Sequence, residues 1–206
     1  MVRGSFAGRL CSLEVMEILY IHGMGGSPLE AEHYREICKG FDVIGVEYDG
    51  SFPSKARDDI RNACDDAKGK VCVIANSIGA YFTMLALQGF EVEKALFISP
   101  ILDMESVILG MMSRAGVSED ELRRKGEIDT LSWKYLSFVR ENPITWSFPT
   151  EILYAGNDCI TSRITVDEFV RNHDARLTVM EDGEHWFHTE EQVAFLDEWV
   201  RRVLAA

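Results

Sequence analysis

The sequence predicts an α/β fold, a doubly wound and mainly parallel six-stranded sheet with a helical insertion. Three observations carry this. Short β-rich runs alternate with helical patterns, the order of elements that βαβ units produce. The runs are mostly apolar rather than alternating, as strands covered on both faces require. One connection, residues 103–149, far exceeds the ~10–12 residues that a crossover needs.

In chain order the strand runs are EILYI (17–21), DVIGVE (42–47), KVCVIA (70–75), KALFIS (94–99), TEILYA (150–155) and RLTVME (176–181). Helical patterns fall between them at about 28–39, 54–68, 78–89, 161–172 and 189–204. The last spaces Val193, Phe195, Leu196, Trp199, Val200 and Val203 so as to pack on the sheet. Within 103–149, Ser118 and Glu121 form a capping-box pair, and Leu131, Tyr135, Phe138 and Val139 share one helical face. Two readings of this insertion are open. Its Met111, Met112 and Trp133 lie over the mouth of a site as a cap, or the segment is a solvent-facing excursion with its own small core.

A chain of 206 residues fits one domain spanning 1–206. Residues 1–15, ahead of Met16, read as a peripheral extension. The formal net charge of −13 disfavours nucleic acid or an anionic membrane as partner. No apolar run suits a signal peptide or membrane span, because Glu14 and Glu17 interrupt the N-terminal one. Cys11, Cys38, Cys64, Cys72 and Cys159 form no metal-ligand spacing and fit reduced thiols, so a cytoplasmic location is expected.

The chemistry centres on Ala75-Asn76-Ser77-Ile78-Gly79, a G-x-S-x-G motif with alanine at the first glycine. Chance supplies roughly 0.16 such matches in a chain of this composition, so context must carry the weight. A strand pattern ends at Ala75 and a helix follows at once, the setting of a nucleophile elbow. Serine is also a favoured N-cap, and that role is open beside the first. Earlier, the strand 17–21 runs into His22-Gly23-Met24-Gly25-Gly26, a loop able to turn a backbone N–H toward a neighbouring strand end. Attack on a carbonyl creates an oxyanion that needs two fixed donors, and the Met24 and Ile78 amides are the candidates. Neither G-x-G-x-x-G nor G-x-x-x-x-G-K-[ST] is present to mark the loop as a phosphate cradle.

From Glu17 onward these motifs resemble the α/β-hydrolase superfamily, in a small form without its first antiparallel strands. The resemblance implies a nucleophile, an acid and a histidine in that chain order. It points to Asp158 in GNDCITS as the acid, with Asp103 as the alternative, and to His185 in the Gly183-x-His185-Trp186 loop as the base, with His188 as the alternative. His22, Gly23, Gly25, Asn76 and Gly79 would shape the site. His188 belongs near the cap of the last helix, beside Thr189, and Thr161 suits the N-cap of the preceding one. His33 and His173 are expected to face solvent. The implied activity is a serine hydrolase acting on a small-molecule carboxylic ester or thioester through an acyl-enzyme, with no metal or organic cofactor. Aminopeptidase, carbon–carbon hydrolase and acyltransferase chemistry, or ligand binding without catalysis, remain alternatives on the same fold. Oligomeric state is not legible.

Overall fold

The computed structural model describes residues 16–67 and 71–205. The peripheral extension expected over 1–15, and the helix end and strand start expected at residues 68 and 70, lie outside the described residues. The main sheet comprises β1 (Glu17–Ile21), β2 (Asp42–Gly45), β3 (Val71–Asn76), β4 (Val92–Ile98), β7 (Thr150–Ala155) and β8 (Ala175–Met180). Their spatial order is β2-β1-β3-β4-β7-β8, and every neighbouring pair is parallel. The chain thus reverses its direction of travel at β1, so the crevice between the C-terminal ends of β1 and β3 is the topological switch point, where open α/β sheets bind ligands.

Side chains alternate between two cores because successive strand residues point to opposite faces. Leu19, Ile21, Val73, Ala75, Phe97 and Ile152 meet α2 (Pro53–Asp66), α3 (Ile78–Ala86) and α7 (Arg163–Asn172) on one face. Ile18, Tyr20, Ile74, Leu96 and Leu153 meet α1 (Ala31–Ile37) and α8 (Glu190–Leu204) on the other. A short 3-10 turn, Pro28–Glu30, leads into α1. On α8 the buried set Leu196, Trp199, Val200 and Val203 follows the i, i+3, i+4, i+7 stripe of a helix seated on a sheet. Phe195, expected with them, is exposed because it falls off that stripe. Lys94 Nζ donates to Val203 O at 2.9 Å and satisfies a carbonyl at the end of α8.

The long connection is helical. It holds α4 (Met104–Ala115), α5 (Glu119–Lys125), a two-stranded pairing of β5 (Glu127–Ile128) with β6 (Leu131–Ser132), and α6 (Trp133–Glu141). Ser118 accepts from the Glu121 amide at the start of α5, and Ser132 caps α6 by accepting from the Tyr135 amide. The expected helical face needs correction: Leu131 sits in β6, and the buried face of α6 is Leu136 with Val139. Tyr135 and Phe138 instead meet Phe52 at 5.8 and 5.3 Å between ring centroids. Met112 enters the core, Met111 lines a cavity described below, and Trp133 lies under the Arg123 guanidinium at 5.7 Å.

Helix α7 begins one residue beyond the expected cap. Ser162 accepts from Thr165 N, while Thr161 is buried and donates its hydroxyl to Pro100 O at 2.9 Å. Neither His33 nor His173 simply faces solvent. His33 bonds Asp197 of α8 at 2.8 Å, and His173 bonds the Trp146 carbonyl at 2.8 Å and rests on Phe169. No described helix is long and apolar enough to cross a membrane.

Candidate active site

Strand β3 delivers the chain to Asn76, and α3 starts at Ile78, so the single residue between them must turn sharply. Ser77 does so at φ 53, ψ −119, a conformation costly for a residue with a Cβ and held by its surroundings. Its N–H donates to Ile98 O at 2.9 Å and its carbonyl accepts from Ile101 N at 3.0 Å, which pins the turn to the end of β4. The turn packs hard against β1. A Cβ built on Gly79 would lie 2.5 Å from His22 O and 2.7 Å from Ile21 O, so only glycine fits there. Gly23 is close as well, its virtual Cβ 3.3 Å from Ser77 Cβ. Ala75 fits in the sheet with its methyl fully buried in the core.

The Ser77 side chain makes no capping bond to α3. Its Oγ lies 2.9 Å from His185 Nε2 instead. His185 Nδ1 lies 2.8 Å from Asp158 Oδ2, and both of these side chains are almost wholly buried. Asp158 Oδ1 accepts from the Ile160 and Thr161 amides at 2.8 and 3.0 Å, so the carboxylate is oriented by its own loop. Three loops, after β3, β7 and β8, therefore converge on one hydrogen-bonded chain. The two alternatives stand apart from it. Asp103 caps α4, with its oxygens 2.9 Å from Ser106 N and 2.6 Å from Ser106 Oγ. His188 is exposed before α8, with Nδ1 3.5 Å from Glu184.

The loop after β1 closes the site from the other side. Gly25 has φ +77, which glycine adopts without steric cost, and Gly26 N donates to Gly23 O at 3.1 Å. His22 Nδ1 lies 2.8 Å from Gly23 O, and its ring stacks on Tyr48 at 4.4 Å. The Tyr48 hydroxyl donates to His22 O at 2.7 Å. Burial, reinforced by the charge of Glu30, raises the Tyr48 phenol above its usual range and keeps it protonated as a donor. Among the described residues, nothing accepts a hydrogen bond from the Met24 or Ile78 amide.

Two cavities flank Ser77. One, of about 490 Å³, runs from Met24 and Ile78 along α4 past Ile101, Val107 and Met111. The other, of about 510 Å³, is bounded by Asn76, His185, Trp186 and the glycine loop. Tyr48 and the Ile160 and Thr161 amides are site residues that the sequence does not single out. A local signal exists for the amides alone, since Asp-x-x-Thr in a loop favours side-chain acceptance from following N–H groups. The bracing by Tyr48 depends on β2 lying beside β1, which no local pattern encodes. Among the described residues no cluster of His, Cys, Asp and Glu is arranged to hold a metal ion.

No family model matches the sequence, and no curated protein matches it. Solved structures do. The chain superimposes on mouse alpha/beta hydrolase domain-containing protein 10 with a TM-score of 0.72 at 16% identity, covering 92% of this chain and 89% of that one. Est1E from Butyrivibrio proteoclasticus gives 0.68 at 14% identity, covering 92% and 87% of the two chains. An esterase from Pyrococcus furiosus gives 0.62 at 18% identity, covering 92% and 80%. By its strand order, helical layers and these superpositions, the chain has the α/β-hydrolase fold.

Proposed function

We propose that the protein is a serine hydrolase that cleaves small carboxylic esters or thioesters through an acyl-enzyme. The observation that carries this reading is the chain Ser77 Oγ–His185 Nε2–Asp158 Oδ2, at 2.9 and 2.8 Å, on a serine held at positive φ with no capping duty. The esterases among the structural neighbours support the reaction class. His185 takes the Ser77 proton as Oγ attacks the carbonyl carbon, and Asp158 orients the ring and stabilises its imidazolium form. The Met24 and Ile78 amides, the latter at the start of α3, receive the oxyanion. His185 returns the proton to the leaving group, then activates the water that releases the acid from Ser77.

The leaving atom must lie within reach of His185 Nε2. That assigns the cavity beside His185 and Trp186 to the leaving group and the cavity along α4 to the acyl group. The unpaired Cys38, Cys64, Cys72 and Cys159 fit a reducing compartment, and the cytoplasm is the location we infer. A fluorophosphonate probe tests the nucleophile: it labels the wild type and leaves Ser77→Ala unlabelled. Equal labelling of both proteins, or none of a folded wild type, would sink the assignment.

A further inference from the structure

The α4 cavity carries a charge that its apolar walls do not explain. Arg114, in the last turn of α4, lines it together with Ser77, Ile101, Val107 and Met111. Its guanidinium lies back over Gly110, where a virtual Cβ would be 3.5 Å from Nη1. The glycine one turn earlier thus leaves room for the side chain to lie along the helix beside the cavity. The Arg114 guanidinium makes no hydrogen bond or ion pair with any described residue. The cavity's other charged residue, Asp103, keeps its negative charge, but it caps the N-terminus of α4, about 16 Å along the helix from Arg114, where its oxygens accept from Ser106 N and Oγ. In a chain of net charge −13, a free guanidinium beside an apolar acyl site sets a local preference opposite to the long-range field.

We propose that Arg114 selects acyl groups ending in a carboxylate, so that the preferred substrates are half-esters or half-thioesters of aliphatic dicarboxylic acids. The inference rests on the hydrolase reading for the reaction and on Arg114 for its selectivity. The apolar methylenes lie along Ile101, Val107 and Met111, and the distal carboxylate meets the guanidinium fork. The reacting carboxyl carbon bonds Ser77 Oγ as its bond to the leaving oxygen breaks, and the alcohol departs with the proton from His185. Water then cleaves the acyl–serine bond. The net change is one water consumed, with one alcohol, one dicarboxylate and one proton released.

Because Arg114 is solvent-exposed, the expected selectivity is moderate, about five- to tenfold in kcat/KM. The test compares p-nitrophenyl half-esters of succinate through suberate with neutral p-nitrophenyl esters of matched length. The wild type favours at least one half-ester by that factor, mainly through KM, and the preference falls as salt rises. Arg114→Gln abolishes the preference and changes the neutral esters by less than twofold, while Arg114→Lys keeps part of it. Equal handling of charged and neutral esters, an equal loss on both in Arg114→Gln, or a preference for a carboxylate on the leaving group instead would overturn the proposal. A second arm needs no turnover: monomethyl adipate and methyl hexanoate are titrated into Ser77→Ala proteins with and without Arg114→Gln, followed by amide NMR shifts on α4. Tighter adipate binding that Arg114→Gln removes supports the role of Arg114 even if no ester is hydrolysed, an outcome that would refute the hydrolase reading alone. Indifference to the substitution overturns the role of Arg114 whatever the catalytic result.

Discussion

Replacing Asp158 by asparagine alters one atom of the proposed triad, and the surrounding donors decide what the new amide does. In the wild type Oδ1 accepts from the Ile160 and Thr161 amides, while Oδ2 faces His185 Nδ1. The amide oxygen must take the place of Oδ1. Turning it the other way would strip two N–H groups of their acceptor, at about 1–3 kcal/mol each where water cannot reach them. The NH₂ group therefore points at Nδ1, which has to accept, and the ring proton moves to Nε2. That nitrogen then donates to Ser77 Oγ and has no lone pair for the serine proton. Loss of the base corresponds to about 10⁴-fold in kcat, or about 5.5 kcal/mol of barrier. The number of hydrogen bonds is unchanged, so the melting temperature should move by only a few degrees. Turnover of p-nitrophenyl acetate, measured beside thermal melting by circular dichroism, checks both halves. A loss of less than tenfold in a normally melting variant would refute the reasoning. Asp103→Asn, which keeps a good N-cap on α4, should retain activity within about threefold.

Gly79→Ala forces a methyl group into the His22 and Ile21 carbonyls, so we expect about 1–3 kcal/mol of destabilisation. At the entropy of unfolding usual for 206 residues this is a melting shift of roughly 2–7 °C, with a larger fractional loss of activity because the displaced turn carries Ser77. Tyr48→Phe removes the bond to His22 O, which should cost about 1 kcal/mol in denaturant titration and lower kcat several-fold with little change in KM. Burial pushes the Cys38 thiol up to about 11 and those of Cys64 and Cys72 up to about 12. Thiolate reacts and thiol does not, so at pH 8 these three stay inert in the folded protein and gain reactivity only as pH climbs toward those values. In a Cys11→Ser background, iodoacetamide followed by peptide mass mapping should therefore find exposed Cys159 modified first, with ester turnover falling as the α4 cavity is blocked.

The sheet is legible in the sequence because burial on both faces demands unbroken apolar runs, and β1, β3 and β7 are written that way. Ends are harder to read. Strand β4 begins at Val92, ahead of the exposed Glu93 and partly exposed Lys94, because Val92 pairs with Val71 and Lys94 with Cys72 across a register shift. Helix α6 hides behind a similar ambiguity. Leu131 matches its helical period but is used in a two-residue strand, while Ser132 supplies the cap that decides where the helix starts. For the proposed site, type and chain order point to Ser77, Asp158 and His185, since each follows a strand, after β3, β7 and β8 in turn, while Asp103 and His188 satisfy the same order and are set apart only by the fold. Arg114 cannot, because an arginine in the last turn of a helix is ordinary until the fold shows which cavity lies beside it. The half-buried settings of His33 and His173 likewise come from α8 and from the loop holding Trp146, far away in sequence.

His185 reaches Ser77 across 108 residues of chain and is carried on the loop that leaves β8, one of the two edge strands of the sheet. That strand is paired along one side only, and most of its side chains are partly exposed. Edge elements open at lower free energy than a sheet's interior. The proposed base therefore hangs from one of the sheet's two edges, which loosen more readily than its centre, while Ser77 is fixed between two central strands. On warming, the imidazole would leave the serine before the fold melts, so activity would fade below the melting temperature and return on cooling.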